Sequence, residues 1–227
     1  MGGHHEDHTF LFADLAGFTA LTEAMGDEDA ADLAGHFSDS VRELLPEHRA
    51  QAVKEIGDAL MVRGEDAGEA IRLGLRIVHE IGGQHFFPTV RVGMDTGTAT
   101  ARGDDWFGAT VNLAARVSGI AAGGEVLLTE ATRVAAGTVE GVEIRQHGRH
   151  ELKNVGEPVL LHAAVREGQR SQTGLPIDPV CRMAVDPEHC AGTLSYEGRE
   201  FHFCSLECVA RFANSPDRYT GEMRSHR

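Results

Sequence analysis

The feature that most constrains this chain is the order in which its hydrophobic period changes along the first 120 residues. His8–Leu15 (HTFLFADL) is a short apolar run ending at an aspartate, which predicts a buried strand. Asp27 is placed to cap a helix in which Ala30, Leu33, Phe37, Val41 and Leu44 form one face. Residues 51–64 read as two β-runs flanking Gly57-Asp58, a hairpin tip. Helical spacing returns over residues 67–81, with Ala70, Gly74, Ile77 and Ile81 on one face and Gly82-Gly83 as the stop. Val90, Val92 and Met94 then alternate inward, with Thr89 and Arg91 outward, and residues 106–120 predict a helix entered through Phe107-Gly108. The order β-α-β-β-α-β predicts an α+β fold in which an antiparallel sheet carries its helices on one face.

Cysteine placement divides the chain. All four cysteines, Cys181, Cys190, Cys204 and Cys208, lie beyond residue 180, a clustering that points to metal or redox chemistry rather than a disulfide scaffold. Residues 167–174 (EGQRSQTG) are polar and lack an apolar anchor, as a flexible linker would be. The expected organisation is a first domain over 1–165, a linker over 166–176 and a second domain over 177–227. The net charge of −14 argues against nucleic-acid binding or docking on an anionic membrane. The start MGGHHEDH has neither a basic nor an apolar stretch, and no apolar run nears the roughly 18 residues of a membrane helix, so a cytoplasmic protein is expected.

Two aspartates fall at strand ends, Asp14 after its apolar run and Asp58 on the hairpin tip. If those strands are neighbours, the carboxylates converge, and paired hard oxygen ligands suit Mg²⁺ or Mn²⁺ bridging to a substrate phosphate. Between them, Ala16-Gly17-Phe18-Thr19 is a small-residue turn into a helix, whose free backbone N–H groups can meet a phosphate.

The blocks FADLAGFT at 12–19, VKEIGDALMV at 53–62, DDWFGATVNLAAR at 104–116 and ELKNVGEPVLLHA at 151–163 together resemble the class III nucleotidyl cyclase catalytic domain. The resemblance implies a ferredoxin-like βαββαβ core. It assigns Asp14, the adjoining Leu15 and Asp58 to two metal ions. It assigns Lys54 and Asp105 to the base, Asn112 to the ribose, Arg116 to the transition state, and Lys153 with Gly17, Phe18 and Thr19 to the triphosphate. The implied reaction is conversion of ATP to 3′,5′-cyclic AMP and pyrophosphate. Adenine's amino donor and ring acceptor match Asp105 as acceptor and Lys54 as donor, whereas guanine readers in this family resemble Glu and Cys at those positions. The family pattern also implies a head-to-tail homodimer, with the aspartates from one subunit and the Lys/Asp and Asn/Arg pairs from its partner. Both lysines of the chain, Lys54 and Lys153, fall on positions of nucleotide recognition, against 19 arginines elsewhere. Two departures stand out: Ala16 replaces a larger residue, and Asp95 stands where many relatives have His.

DPVCRMAV at 178–185, FHFCSLEC at 201–208 and PDRY at 216–219 resemble a YHS domain, related to treble-clef metal-sensing modules. Cys204 and Cys208, four apart on a helical turn, with Cys181 as a third thiolate, would select Cu(I) or Zn²⁺. Met183, Cys190, His189 and His202 are candidates to complete the set. A domain of this size has a marginal core, so metal would help it fold and could regulate the cyclase. The alternative is a metal sensor or carrier whose cyclase-like half only dimerises or holds nucleotide.

Overall fold

The structure, a computed structural model, describes residues 7–84, 87–168, 176–180, 185–188 and 190–220. Its elements in chain order are β1 (His8–Leu15), α1 (Phe18–Met25), α2 (Asp27–Leu44), β2 (Ala50–Ile56), β3 (Ala59–Gly64) and α3 (Ala67–Arg76), which runs on into a π-helical turn at Ile77–Ile81. There follow β4 (Val90–Gly97), β5 (Thr100–Arg102), β6 (Asp105–Phe107), α4 (Ala109–Ile120), β7 (Val126–Thr129), α5 (Glu130–Ala136), β8 (Val142–His150) and β9 (Val159–Arg166). The C-terminal region adds β10 (Gly192–Tyr196), β11 (Arg199–Phe203), α6 (Leu206–Asn214) and α7 (Pro216–Thr220).

Seven strands form one sheet in the order β2-β3-β1-β4-β7-β9-β8. The first four are antiparallel neighbours and make the expected ferredoxin-like unit, while β7 joins β4 in parallel and β9 and β8 close the edge. Three expectations are corrected. Helices cover both faces, not one. Leu11, Ala13 and Leu15 of β1 pack with Phe37 and Val41 of α2 and Ile71 of α3, while Phe10 and Phe12 turn to the other side against Val111 and Ala114 of α4. A strand apolar on both sides must be covered on both sides, which is what the unbroken run in β1 encodes. Gly93 makes room for α4, because a Cβ there would stand 1.9 Å from the backbone nitrogen of Ser118. The second correction is local: Trp106 and Phe107 belong to β6, and the helix starts only at Ala109, after Gly108. Likewise Gly26 is the cap residue of α2, and Asp27 lies in its first turn, where its charge favours the helix dipole.

The C-terminal region is a β10–β11 hairpin covered by α6 and α7, around a core of Val180, Phe201, Phe203, Cys208 and Phe212. The side chain of Ser205 caps α6 by accepting from the Cys208 N–H at 3.1 Å, which fixes where the helix begins relative to both thiols. Residues 169–175 of the expected linker lie outside the described residues.

Candidate active site

The register of β1 decides what surrounds Asp14: Ala59 of β3 lies opposite on one side and Arg91 of β4 on the other. The β2–β3 tip thereby brings Asp58 to Asp14, and the two carboxyl groups hydrogen-bond each other. Burial pushes the Asp58 carboxyl up to about 7, and the hydrogen bond to Asp14 and the charge of Asp14 act in the same direction. Arg91 opposes them in part. Its Nε donates to Asp14 Oδ2 at 2.7 Å, and its terminal nitrogen touches the same oxygen. Leu15 is buried in the core, so only its backbone can face the aspartates. Two neighbouring half-buried carboxyls, with one arginine against a single oxygen of Asp14, form a hard-oxygen donor set.

Lys54 is aimed by a β-bulge, since the β2–β3 pairing slips one residue between Ala52 and Lys54. Its Nζ donates to Asp105 Oδ2 at 2.6 Å and lies 5.4 Å from the centre of the Phe107 ring. The other oxygen of Asp105 accepts from the Trp106 N–H at 2.8 Å, so both ends of the carboxylate are positioned. The Lys54 ammonium holds the Asp105 carboxyl below its ordinary value. The short β5–β6 hairpin exists in the right place to deliver this residue across the sheet face to β2.

Asn112 is exposed and Arg116 half-buried on α4, and Lys153 is exposed in the loop between β8 and β9. No hydrogen bond or ion pair joins any of these three to Asp14 or Asp58 among the described residues. One chain therefore brings together the aspartate pair and, separately, the Lys54–Asp105 pair, and leaves Asn112, Arg116 and Lys153 without a hydrogen bond or ion pair to either aspartate. Gly17 has φ +77°, the left-handed conformation that turns β1 into α1, and α1 begins without a side-chain cap. Its first-turn N–H groups at Phe18 and Thr19 are thus open to an anion. Asp95 is buried and accepts from Thr129 Oγ1 at 2.5 Å, away from all these groups.

In the C-terminal region, Asp178, Cys204 and Cys208 offer ligand atoms within 4.8 Å of one another, and the two sulfurs are 3.9 Å apart. Cys181, Met183 and His189 lie outside the described residues. Cys190 and His202 point elsewhere: the Cys190 thiol donates to the Pro187 carbonyl at 3.4 Å, and His202 contacts Thr193 and Glu200.

Residues 2–163 match the family described as the adenylate and guanylate cyclase catalytic domain. The chain belongs to that family. Residues 177–223 match the YHS domain, which follows it. The pH-sensitive adenylate cyclase of Mycobacterium tuberculosis is 34% identical over 169 residues, covering 73% of this chain and 42% of the relative. An adenylate cyclase of Streptomyces griseus is 38% identical over 117 residues, 52% of this chain and 29% of the relative. The chain thus spans less than half the length of these curated relatives. Among solved structures, an adenylate cyclase of Trypanosoma brucei in its monomeric state superposes with a TM-score of 0.65 at 23% identity, covering 73% of this chain and 90% of that one. The adenylyl cyclase CyaB of P. aeruginosa gives 0.60 at 22% identity, with 73% and 96% covered. These last two likenesses speak for the fold of the cyclase domain.

Two residues escaped sequence reasoning. In the cyclase domain, Arg91 reads as an outward strand residue, and only the β1–β4 register puts it on Asp14. In the YHS domain, Asp178 sits within the quoted DPVC block, yet nothing in its spacing marks it as fully buried beside two thiols.

Proposed function

We propose that the chain is an adenylate cyclase that converts ATP to 3′,5′-cyclic AMP and pyrophosphate in a site shared between two subunits. The observation that carries the reading is the Lys54–Asp105 pair, one donor and one acceptor held 2.6 Å apart beside an aromatic ring. Adenine needs one acceptor for its amino group and one donor for its ring nitrogen, and Asp105 and Lys54 supply them in that order. Guanine would meet each with the wrong partner.

In the reaction the ribose 3′-oxygen forms a bond to the α-phosphorus, the bond from that phosphorus to the β-bridging oxygen breaks so that this oxygen leaves with pyrophosphate, and the hydroxyl proton passes to water. Asp14 and Asp58, with the Leu15 backbone beside them, would hold two divalent cations, Mg²⁺ or Mn²⁺. Such cations supply Lewis acidity, acidifying the 3′-hydroxyl and offsetting the charge of the triphosphate. On taking that role Asp58 would release its proton to water, and Arg91 would be free to reach a phosphate oxygen once Asp14 is otherwise neutralised. Gly17, Phe18 and Thr19 present backbone N–H groups to the triphosphate. Arg116 offers a forked donor set to charge developing on the α-phosphoryl oxygens, while Asn112, four residues earlier on α4, orients the ribose. Lys153 supplies a compact cation to the leaving pyrophosphate. Asn112 and Lys153 are exposed, and none of Asn112, Arg116 and Lys153 bonds to its own chain's aspartates, which supports their acting on a partner's aspartates in a homodimer.

The thiols of Cys204 and Cys208, with Cys181, fit Cu(I) or Zn²⁺, and Asp178 adds a hard oxygen that favours Zn²⁺. An ATP substrate suits a cytoplasmic setting. No helix among the described residues is long and apolar enough to cross a membrane. Incubation with ATP or GTP plus Mn²⁺ tests the reading. Cyclic AMP formed from ATP, and lost in Asp58→Ala, supports it; preference for GTP, or undiminished activity in that variant, overturns it.

A further inference from the structure

We propose that the YHS domain is a brake on the cyclase site, seated on α1 and released when metal binds its thiols; the proposal rests on the cyclase reading above. Arg218 of α7 donates to the Glu23 carboxylate of α1 at 2.6 Å. Beside this pair, Pro179, Val180 and Tyr219 face Gly17, Thr19 and Ala20 across a cavity of about 270 Å³. Gly17 and Thr19 belong to the turn that presents N–H groups to the triphosphate. The YHS domain therefore stands at the approach to that turn and gives it no cation of its own there, since the Arg218 charge is directed to Glu23. A body leaning on α1 also limits how far the turn can re-aim around an arriving phosphate.

The same domain ties this contact to its thiols. One oxygen of the buried Asp178 carboxylate accepts from the Val180 N–H at 2.8 Å, and the other accepts from the Cys204 N–H at 2.9 Å. The residue that faces α1 and the residue that carries the first thiol thus hang from one side chain. Metal drawn onto Cys204 and Cys208 competes for Asp178 and shifts Val180, loosening the seat.

The test uses the full chain with Arg218→Glu, Glu23→Arg and the double charge swap; both side chains are about 60% exposed, so neither change empties a core. Amide hydrogen exchange over residues 17–25 and the KM for ATP are read together. Each single variant is expected to exchange faster there and to lower KM by about threefold to fivefold, the range of a broken exposed ion pair, with the double swap restoring both. Zn²⁺ added to the unaltered chain should speed the same exchange, and Cys204→Ser/Cys208→Ser should abolish that effect. Equal exchange in all forms overturns the seat, faster exchange with unchanged or higher KM overturns the brake, and exchange indifferent to Zn²⁺ overturns the metal release. Absence of cyclic AMP from every form, the unaltered chain included, would overturn the cyclase reading, while the exchange data would still decide the seat.

Discussion

In the cyclase domain the chemical groups stand on or beside strands of a seven-stranded sheet packed on both faces, whereas in the YHS domain they lie beside a two-stranded hairpin whose core, among the described residues, centres on Val180, Phe201, Phe203, Cys208 and Phe212. Asp14, Arg91 and the tip carrying Asp58 are fixed by ladder registers that a whole sheet enforces. Asp178, Cys204 and Cys208 are held instead by two backbone hydrogen bonds to one carboxylate and by the cap of a nine-residue helix. A rigid sheet positions groups for reaction before anything binds. A small core with a ligand cluster lets binding change the structure, which suits a controlling part.

The largest effect that would sharpen this contrast is chemical. Asp58→Ala should reduce cyclic AMP formation by about a thousandfold or more while the sheet stays folded, because the change would remove a proposed metal ligand and no core contact. Circular dichroism beside the nucleotide assay checks both halves. Next in size is the same truncation made in the two cores. Phe37 and Phe212 are both essentially fully buried, and either Phe→Ala change should cost about 3–5 kcal/mol. In the YHS domain Phe212 meets the rings of Tyr196, Phe201, Phe203 and Tyr219, so its loss should unfold that domain alone. Hydrogen exchange resolved by region would show protection lost over residues 190–220 and kept in the sheet for Phe212→Ala. Loss in both domains together would mean that they fold as one unit.

A smaller effect concerns recognition. Lys54→Ala should lower kcat/KM for ATP by about 10–100-fold, since it would leave the adenine ring nitrogen without its proposed donor. The loss should fall less on GTP, which the pair does not match.

The smallest is a pH effect. Native Asp58 keeps its proton up to about pH 7, while the unfolded chain releases it near the ordinary aspartate value. The raised value stabilises the fold fully below the unfolded value, and that contribution is lost as pH rises through about 7. With chelator present, Tm should therefore fall from about pH 4 to about pH 7 and level off above that, and Asp58→Asn should flatten that slope, as differential scanning fluorimetry would show.

Much of this was legible from residues. The apolar run of β1, the α2 face through Phe37 and Val41, and the tip at Gly57-Asp58 all obey local periodicity, which tertiary packing here reinforces. What local pattern hides is anything set by pairing across the sheet. The bulge that turns Lys54 toward Asp105, the placement of Arg91 on Asp14, and the second layer formed by α4 over Gly93 all depend on which strand lies next to which. Asp178 was hidden for another reason: an aspartate before proline usually reads as a turn residue, and its burial appears only when the hairpin folds over it.

The central claim is a site divided between two chains, and mixing two inactive variants tests it most directly. Asp58→Ala and Arg116→Ala, each inactive alone, are combined and allowed to exchange subunits. Half of the resulting dimers should then carry one intact site, restoring cyclic AMP formation to about a quarter of the unaltered level. A mixture as inactive as its components, despite demonstrated subunit exchange, would contradict the shared site.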